Sequence, residues 1–289
     1  NTTASCNTAV GQSSLAANTT GANNTALGLC ANATSTDRND NTAIGYLALQ
    51  ANTGTGNTAV GAYSADSNTS ATGITAVGNR ALCSNTTGAN NTAMGMCSLL
   101  ANTTGYINVA VGYDAMKANT TGQGNVGIGG YALDANTSGS RNIAIGCSAL
   151  SANTTCSDNV AIGFCALTTQ TDDGYNNTSI GNYSMKLNTT GDNNVAVGFN
   201  ALTANTSGHS TTAVGCGALA SQTTGTDNVG IGFQAGDSVT SGATGTYVGG
   251  YSGQAVTTGN GTYIGKNAGY NATTGVNNVA VGLSAGNDI

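Results

Sequence analysis

The stretch that decides the fold is Asn91 to Ile107, which reads NTAMGMCSLLANTTGYI, and residues 108–112 begin the same pattern again with NVAVG. Alignment of the whole chain on the first glycine of this pattern gives seventeen copies, with thirteen intervals of 17 residues, two of 16 and one of 18. A period held over the whole chain indicates a repeat protein in which each copy is one structural unit. The repeat glycines are Gly11, Gly28, Gly45, Gly61, Gly78, Gly95, Gly112, Gly129, Gly146, Gly163, Gly181, Gly198, Gly215, Gly232, Gly249, Gly265 and Gly282.

Residue types alternate before this glycine, which we take as position 0. Position −1 is Val, Ile, Leu or Met in all seventeen copies, position −3 is Thr, Val or Ile, and position −2 is small except at Tyr247 and Tyr263. A period of two predicts a short strand at −4 to −1, with its β-branched side chains on one face. We expect columns of valine, isoleucine, leucine and alanine to fill the narrow interior, and columns of Asn to form hydrogen bonds along the axis.

The remaining positions predict turns and a second strand. We expect glycine at position 0 to make a sharp corner or a close backbone contact that a Cβ would obstruct. A second short strand is predicted after it, around positions +3 and +4. A typical copy then continues ANTTGYIN, as at residues 101–108, and Asn and Gly tolerate the positive φ of a turn.

This unit is too short for a βαβ unit, which needs about 30 residues or more. The predicted fold class is therefore all-β, a parallel β-solenoid or β-roll of about seventeen 17-residue coils. Residues 1–230 hold the regular repeats, and residues 231–289 hold variant repeats in which we expect the same solenoid to continue. The variant repeats have Gly at the usual Leu position, at Gly236, Gly253, Gly269 and Gly286.

The composition argues against several kinds of partner. The 289 residues include 44 glycines and no proline, only 6% are charged, and the formal charge is −6. No basic stripe is present to neutralise phosphates, so we expect no nucleic acid partner. Apolar stretches such as residues 126–133 are broken by glycine and shorter than the roughly 20 residues of a membrane helix, so we expect no membrane span in this segment.

Residues from which active sites are built are scarce. His209 is the only histidine, glutamate is absent, and the eight cysteines show no metal-finger spacing. Ser-His-Asp triads, zinc hydrolase sites and paired-glutamate glycosidase sites therefore lack parts. We expect that the chain is not an enzyme, that it needs no cofactor, and that His209 is a solvated loop residue.

Three pieces of the repeat resemble the head repeats of trimeric autotransporter adhesins, namely NIAIG at 142–146, NVAIG at 159–163 and NVAVG at 194–198. The longer form, in which NTAVG is followed by AL and then by ANTTG, is similar to repeats in phage and viral tail-fibre-like proteins. The resemblance implies a left-handed parallel β-roll, a side-by-side homotrimer and a surface that binds host cells or matrix. This chain departs from the adhesin family by its longer coil.

The expected partner is a further copy of the chain. A coil with few large side chains buries little surface alone, and small side chains at position −2 would let neighbouring rolls approach closely. A parallel homotrimer and single-chain solenoids joined end to end both remain open. A host surface or matrix is a further partner that the resemblance implies.

The leading hypothesis for function is a structural extracellular fibre or surface appendage, such as a filament, tail fibre or adhesin shaft, at a cell or virion surface. A tip-type adhesin that binds host glycan or matrix is one alternative. An ice-binding β-solenoid is another, because threonine recurs at position −3. We rank ice binding low, since Val109 and Val126 then replace threonine, which suggests that this face is buried. The threonines are Thr8, Thr25, Thr42, Thr58, Thr75 and Thr92.

Four cysteines lie at nearby positions of neighbouring coils. Cys83 and Cys97 occupy positions +5 and +2, and Cys147 and Cys165 occupy positions +1 and +2. Either pair would bridge two coils as a disulfide if its Cα atoms came within about 7 Å. Such a bond would favour an oxidising compartment, whereas the alternative is free thiols that act as small apolar fillers.

Two polar columns carry further hypotheses. Asp40, Asp158 and Asp227 recur at position −5, where a stacked acidic turn would hold calcium, although an isolated aspartate in an Asx-turn is the simpler interpretation. Asn-x-Ser/Thr sequons recur at position +7. They would carry a row of glycans along one edge, or the asparagines would form a column that shapes each turn without sugar. These sequons are Asn18, Asn68, Asn85, Asn102, Asn119, Asn136, Asn153, Asn188 and Asn205.

Overall fold

The computed structural model describes residues 3–171, 173–258, 260–274 and 276–287. Within these residues the regular secondary structure consists of seventeen three-residue strands and contains no helix. The chain comprises two compact units, Asn1–Arg141 and Asn142–Ile289. Each unit is a stack of coils with one strand per coil, so the predicted all-β parallel solenoid is confirmed.

The strands follow the repeat. Unit 1 contains β1 Thr8–Val10, β2 Thr25–Leu27, β3 Thr42–Ile44, β4 Thr58–Val60, β5 Thr75–Val77, β6 Thr92–Met94, β7 Val109–Val111 and β8 Val126–Ile128. Unit 2 contains β9 Ile143–Ile145, β10 Val160–Ile162, β11 Thr178–Ile180, β12 Val195–Val197, β13 Thr212–Val214, β14 Val229–Ile231, β15 Thr246–Val248, β16 Thr262–Ile264 and β17 Val279–Val281. Each strand therefore covers positions −3 to −1.

Neighbouring strands within a unit pair in parallel, with equivalent residues opposite each other. In β5 and β6, Thr75 pairs with Thr92. The 18-residue interval does not disturb this register, because Val160 of β10 still pairs with Thr178 of β11. Like residues therefore stack at the strand spacing of about 4.8 Å in each unit.

The segment after the repeat glycine is a turn and not the second strand that we predicted. Positions +2 and +4 both adopt left-handed backbone, for example at Cys97 with φ 57° and Leu99 with φ 50°. Two left-handed residues within three positions bend the chain too sharply for a strand. This bend brings two successive side chains into the interior, where Ser98 and Leu99 are fully buried.

In most coils the strand contributes one small side chain to the interior. In β2 to β16 the middle residue is buried and both neighbours are at least partly exposed. The prediction that the β-branched residues fill the interior is therefore wrong, and so is the idea that position −2 allows close approach of neighbouring rolls. The reason is lack of space: a Cβ on Gly127, at position −2, would lie 2.7 Å from Cγ of Met116.

The interior changes within unit 2. Tyr247 and Tyr263 replace alanine at position −2, are fully buried, and stack with ring centroids 5.9 Å apart and an interplanar angle of 8°. Glycine at position +4 makes the room, since a Cβ on Gly236 would lie 2.9 Å from Cδ2 of Tyr247. Pairing continues from β13 through β17, so strands of regular and variant repeats lie side by side. The division between the units falls at residues 141 and 142.

Candidate functional site

The repeat glycines make close backbone contacts between coils. Gly112 has φ +134°, a conformation that side-chain-bearing residues rarely adopt. A Cβ on Gly112 would lie 2.6 Å from the carbonyl oxygen of Gly129, the repeat glycine of the next coil. The corner therefore combines a backbone conformation and a contact that both require glycine.

Asparagines at position −4 link successive coils through the interior. The Oδ1 atom of Asn108 accepts a hydrogen bond from the backbone N–H of Asn125 at 2.9 Å, and its Nδ2 donates to the carbonyl oxygen of Gly122 at 2.8 Å. Asn125 is the equivalent residue of the next coil, and its Nδ2 donates to Gly139 at 2.8 Å. The buried amide thus has both polar atoms bonded, which removes the penalty for burying it.

Asparagines at position +7 form a second interior ladder. Nδ2 of Asn102 donates to Oδ1 of Asn85 at 2.8 Å and to the carbonyl oxygen of Gly105 at 2.9 Å. Asn119 bonds in the same way to Asn102 and Gly122. Identical amides bonded along a stack are the arrangement that also stabilises cross-β ladders.

The sequons at position +7 therefore point inward. Asn18 is 3% exposed and all the others are 0% exposed. A glycan on Nδ2 would have no space in the folded coil, so the burial favours the alternative of an Asn column that shapes each turn. The buried sequon residues are Asn18, Asn68, Asn85, Asn102, Asn119, Asn136, Asn153, Asn188 and Asn205.

The side chains at positions −3 and −1 form what we call the outer sheet face of each unit. Leu27 and Met94, at position −1, are 46% and 44% exposed. In unit 1, position −3 is Thr from β1 to β6, and Val follows in β7 and β8. Each unit thus presents a regular array of threonyl and aliphatic side chains without charge, which is the kind of surface that binds a partner.

Aromatic side chains at positions +1 and +2 form what we call the aromatic corner. Tyr46 and Tyr63 meet edge to face with ring centroids 5.1 Å apart. In unit 2, Tyr183 contacts both Phe164 and Phe199, with centroids 5.3 and 6.1 Å apart. Our sequence reasoning missed this corner, although Tyr and Phe recur at these two positions. Further pairs there are Tyr113 with Tyr131 and Phe233 with Tyr251.

All eight cysteines are free thiols. The two suggested disulfides, Cys83 with Cys97 and Cys147 with Cys165, are therefore not formed. Cys83 instead donates from Sγ to Oδ1 of Asp66 at 3.2 Å. Burial raises the pKa of Cys83 to about 11, and the bond to Asp66 adds to the rise. This thiol is protonated, and so a poor nucleophile, at neutral pH.

The aspartates at position −5 lie in three separate coils, and the single histidine contacts a different aspartate. Asp40, one of the three aspartates at position −5, is exposed with φ 62° and accepts a hydrogen bond from Asn23. Within residues 3–171, 173–258, 260–274 and 276–287, no group of three His, Cys, Asp or Glu residues could hold a metal ion. Nδ1 of His209 lies 3.5 Å from Oδ1 of Asp192 in the preceding coil, and both side chains are largely exposed. The sequence did not predict this contact, because the two residues are far apart along the chain.

Comparison with known proteins gives no assignment. No family model matches the chain, and no curated protein matches it. In the described part of the chain there is no helix that could cross a membrane. The features from which a function can be argued are therefore the coil stack, the outer sheet face and the aromatic corner.

Proposed function

We propose that the chain is a structural shaft of an extracellular fibre or surface appendage at a cell or virion surface. The observation that carries this proposal is the in-register stack, in which each coil bonds to the next through backbone and through interior amides. Asn91 illustrates it: Oδ1 accepts from the N–H of Asn108 at 2.9 Å, and Nδ2 donates to Gly105 at 2.7 Å. A coil that bonds to the polar groups of the coils on either side can be repeated to any length, and this property suits a shaft better than a catalyst.

The proposed partner is a further copy of the chain. Position −2 no longer supports association, because it faces inward. The outer sheet face supports it instead, since Met94 and Ile128 are apolar and 44% and 37% exposed in the isolated chain. A side-by-side homotrimer would cover this face, whereas end-to-end joining would leave it for a host surface or matrix.

Electron microscopy together with sedimentation tests the shaft. We expect elongated particles or filaments of constant width, and a sedimenting species larger than 28.1 kDa if copies pack side by side. A charged substitution on the outer sheet face, Thr75→Lys, should weaken side-by-side packing, whereas Thr87→Lys at an exposed turn should not. Compact globular monomers in both assays would contradict the proposal.

Ice binding is a second candidate, and the structure changes the argument about it. Position −3 points outward, so the six threonines of β1 to β6 lie on the outer sheet face and not in the interior. Thr58 and Thr75 pair in register, and Val60 and Val77 flank them on the same face. A flat, regularly spaced array of hydroxyl and methyl groups is suited to ordering water.

A freezing assay tests this second candidate. Ice binding predicts thermal hysteresis that Thr58→Lys abolishes, because a lysine projecting from the middle of the array breaks its flatness. Thr87→Lys, in an exposed turn, is the matched control and should leave the hysteresis unchanged. If the unmodified chain shows no hysteresis, the outer sheet face does not bind ice.

A further inference from the structure

Two surface pockets lie at the same place in the repeat, one in each unit. Both are lined by residues at positions +2 and +5 of two successive coils, and each measures about 420 Å³, which is within the range of small-molecule sites. We call them the corner pockets, because each includes part of the aromatic corner. In unit 1 the lining residues are Tyr63, Asp66, Arg80 and Cys83. In unit 2 they are Tyr183, Lys186, Leu187, Phe199, Asn200 and Thr203.

Each corner pocket has an exposed aromatic ring that a second ring holds in place. In unit 2, Phe199 is 50% exposed and meets Tyr183 edge to face, at an interplanar angle of 82°. Tyr183 is in turn contacted by Lys186, whose Nζ lies 5.2 Å from the ring centroid. In unit 1, Tyr63 is 37% exposed and meets Tyr46 at an interplanar angle of 89°. Rings that are already in place lose little conformational entropy when a ligand binds.

Hydrogen-bonding groups lie beside these rings in both corner pockets. Lys186, Asn200 and Thr203 supply an amine, an amide and a hydroxyl in unit 2. Asp66 and Arg80 supply a carboxylate and a guanidinium in unit 1. A wholly apolar ligand would cover these groups without bonding to them, which costs free energy. A wholly polar ligand would bring no apolar surface to the exposed rings. The corner pockets therefore suit a ligand that has an apolar face and a rim of polar groups.

The backbone at the corner is already bonded within the stack. The N–H of Tyr183 donates to the carbonyl oxygen of Phe164 at 3.0 Å, and the N–H of Asn200 donates to that of Asn182 at 3.2 Å. A peptide that adds to a protein as a further strand needs free backbone groups to pair with. The ligand of this corner must therefore be recognised through side chains.

Aromatic pairs recur along each unit at an interval that suits a polymer. Tyr46 and Tyr63 directly follow β3 and β4, and Tyr113 and Tyr131 directly follow β7 and β8. At the strand spacing of about 4.8 Å, the two pairs lie about 19 Å apart along the stack. A shift of four strands also separates Phe164 from Phe233 in unit 2. A polymer of repeating units can contact two such pairs at once, which strengthens its binding.

We propose that the corner pockets bind a neutral polysaccharide. Its pyranose rings would stack on Phe199 and Tyr63, and its hydroxyl groups would bond to the polar side chains beside them. A pyranose has an apolar C–H face and a rim of hydroxyls, which is the combination that the corner pockets require. The formal charge of −6 disfavours polyanionic glycans by repulsion. This activity goes beyond the proposed shaft, since neither assembly nor the outer sheet face is needed for it.

Isothermal titration calorimetry of the full chain tests the proposal, with laminarin, galactomannan and hydroxyethyl cellulose as probes at two temperatures. We expect at least one of these neutral polysaccharides to bind, and the double substitution Phe199→Ala and Tyr63→Ala to weaken that binding about tenfold. Tyr106→Ala is the matched control, because Tyr106 is 45% exposed but lies outside the aromatic corner. No binding of any probe, or equal binding by the double variant and the unmodified chain, would overturn the proposal.

Further measurements separate lost binding from lost folding. Both rings lie at the surface, so the urea midpoint of each single variant should stay close to that of the unmodified chain. Phe199→Leu keeps an apolar side chain but removes the ring, and it should bind as weakly as Phe199→Ala.

Two other partners would be recognised in the same assays. If a proline-rich peptide binds and the polysaccharides do not, the corner belongs to a peptide partner and the proposal is overturned. If Phe199→Ala changes the sedimentation of the chain and no polysaccharide binds, the corner is a contact between copies and the proposal is again overturned. Elongated particles that bind no polysaccharide would overturn this proposal and leave the shaft intact.

Discussion

At the scale of single residues, each coil depends on a glycine that has no room for a side chain. A repeat glycine such as Gly112 has φ +134° and a carbonyl oxygen of the next coil 2.6 Å from the position that a Cβ would occupy. Either feature alone disfavours a side chain, and together they explain why the sequence keeps glycine at this position through seventeen copies.

The first prediction concerns Gly112→Ala. The added Cβ would lie 2.6 Å from the oxygen of Gly129, so we expect the free energy of unfolding to fall by at least about 2 kcal/mol, as measured by urea denaturation. Gly130→Ala is the matched control, because the nearest atom to its Cβ is the oxygen of Tyr113 at 4.0 Å. Equal stability of the two variants would show that the corner is not a close contact.

The second prediction concerns the interior amide ladder. Asn108→Asp removes the donor to Gly122 and buries a carboxylate, so at pH 7 we expect a loss of at least about 3 kcal/mol of unfolding free energy. Burial and the facing carbonyl would raise the pKa of the introduced carboxyl in the folded state above its unfolded value of about 3.9. The protonated form can still donate to Gly122. The variant should therefore be closest to the unmodified chain below about pH 4 and lose stability as the pH rises through the raised pKa.

A control separates this effect from a simple change in net charge. Asn90→Asp makes the same substitution at an exposed residue, next to the equivalent of Asn108 in the preceding coil, and should leave the urea midpoint nearly unchanged across the same pH range. A pH dependence of the same size in both variants would contradict the ladder.

At the scale of the coil, the variant repeats exchange volume between two interior positions. The ring of Tyr263 occupies space that the side chain at position +4 takes in regular coils, and Gly269 supplies that space with φ +62°. Leucine adopts a similar backbone at position +4 elsewhere, as at Leu202 with φ 53°. Gly236, Gly253 and Gly269 thus follow from the two tyrosines, whose rings occupy the space of a side chain at position +4.

The third prediction is a coupling between these two positions. Tyr263→Ala should cost about 3–5 kcal/mol by opening a cavity, and Gly269→Leu should destabilise by a clash with the ring. The double variant should be more stable than the sum of the single effects predicts, because the new leucine fills the cavity. A double-mutant cycle in urea measures this coupling, and strict additivity would show that the two side chains do not share one space.

The sequence predicted the strand before each repeat glycine, but it wrongly predicted a second strand after the glycine and did not show which way the first strand faces. The regular alternation around Gly95 and Gly112 fixed the strand positions, since a period of two in short segments between glycines has few other solutions. The larger residue types at −3 and −1 suggested the core, yet beside a side chain such as Met116 the coil has room only for a small residue at position −2. The left-handed backbone at Leu99 was equally hidden, because leucine rarely adopts it.

The same limit applies to the candidate sites. The sequons were found from their spacing, but only the coordinates place Asn102 and its equivalents in the interior. Contacts between coils, such as Cys83 with Asp66 or His209 with Asp192, join residues 17 apart and have no local sequence signal. The repeat shows which residues form a column along the stack. Whether the side chains of that column point inward or outward depends on the bends between strands.

At the scale of the whole molecule, each unit combines an interior whose polar groups are almost all bonded with an outer face that carries few charges. Side-by-side packing of copies and ice binding would both use that outer face, so these two proposals differ in what covers the face and not in how the coil is built. The claim that they share is that equivalent residues of successive coils lie side by side in register.

The most direct test of that claim is cross-linking between β5 and β6. In a background with the native cysteines replaced by alanine, Thr75→Cys combined with Thr92→Cys places two thiols on paired residues of parallel strands, about 4.8 Å apart at Cα and within the range of a disulfide. Thr75→Cys combined with Met94→Cys keeps both thiols on the outer face but offsets them by two residues, to about 8 Å. We predict that mild oxidation closes an intramolecular disulfide in the first pair and not in the second; efficient closure of the offset pair, or of neither, would contradict the in-register solenoid.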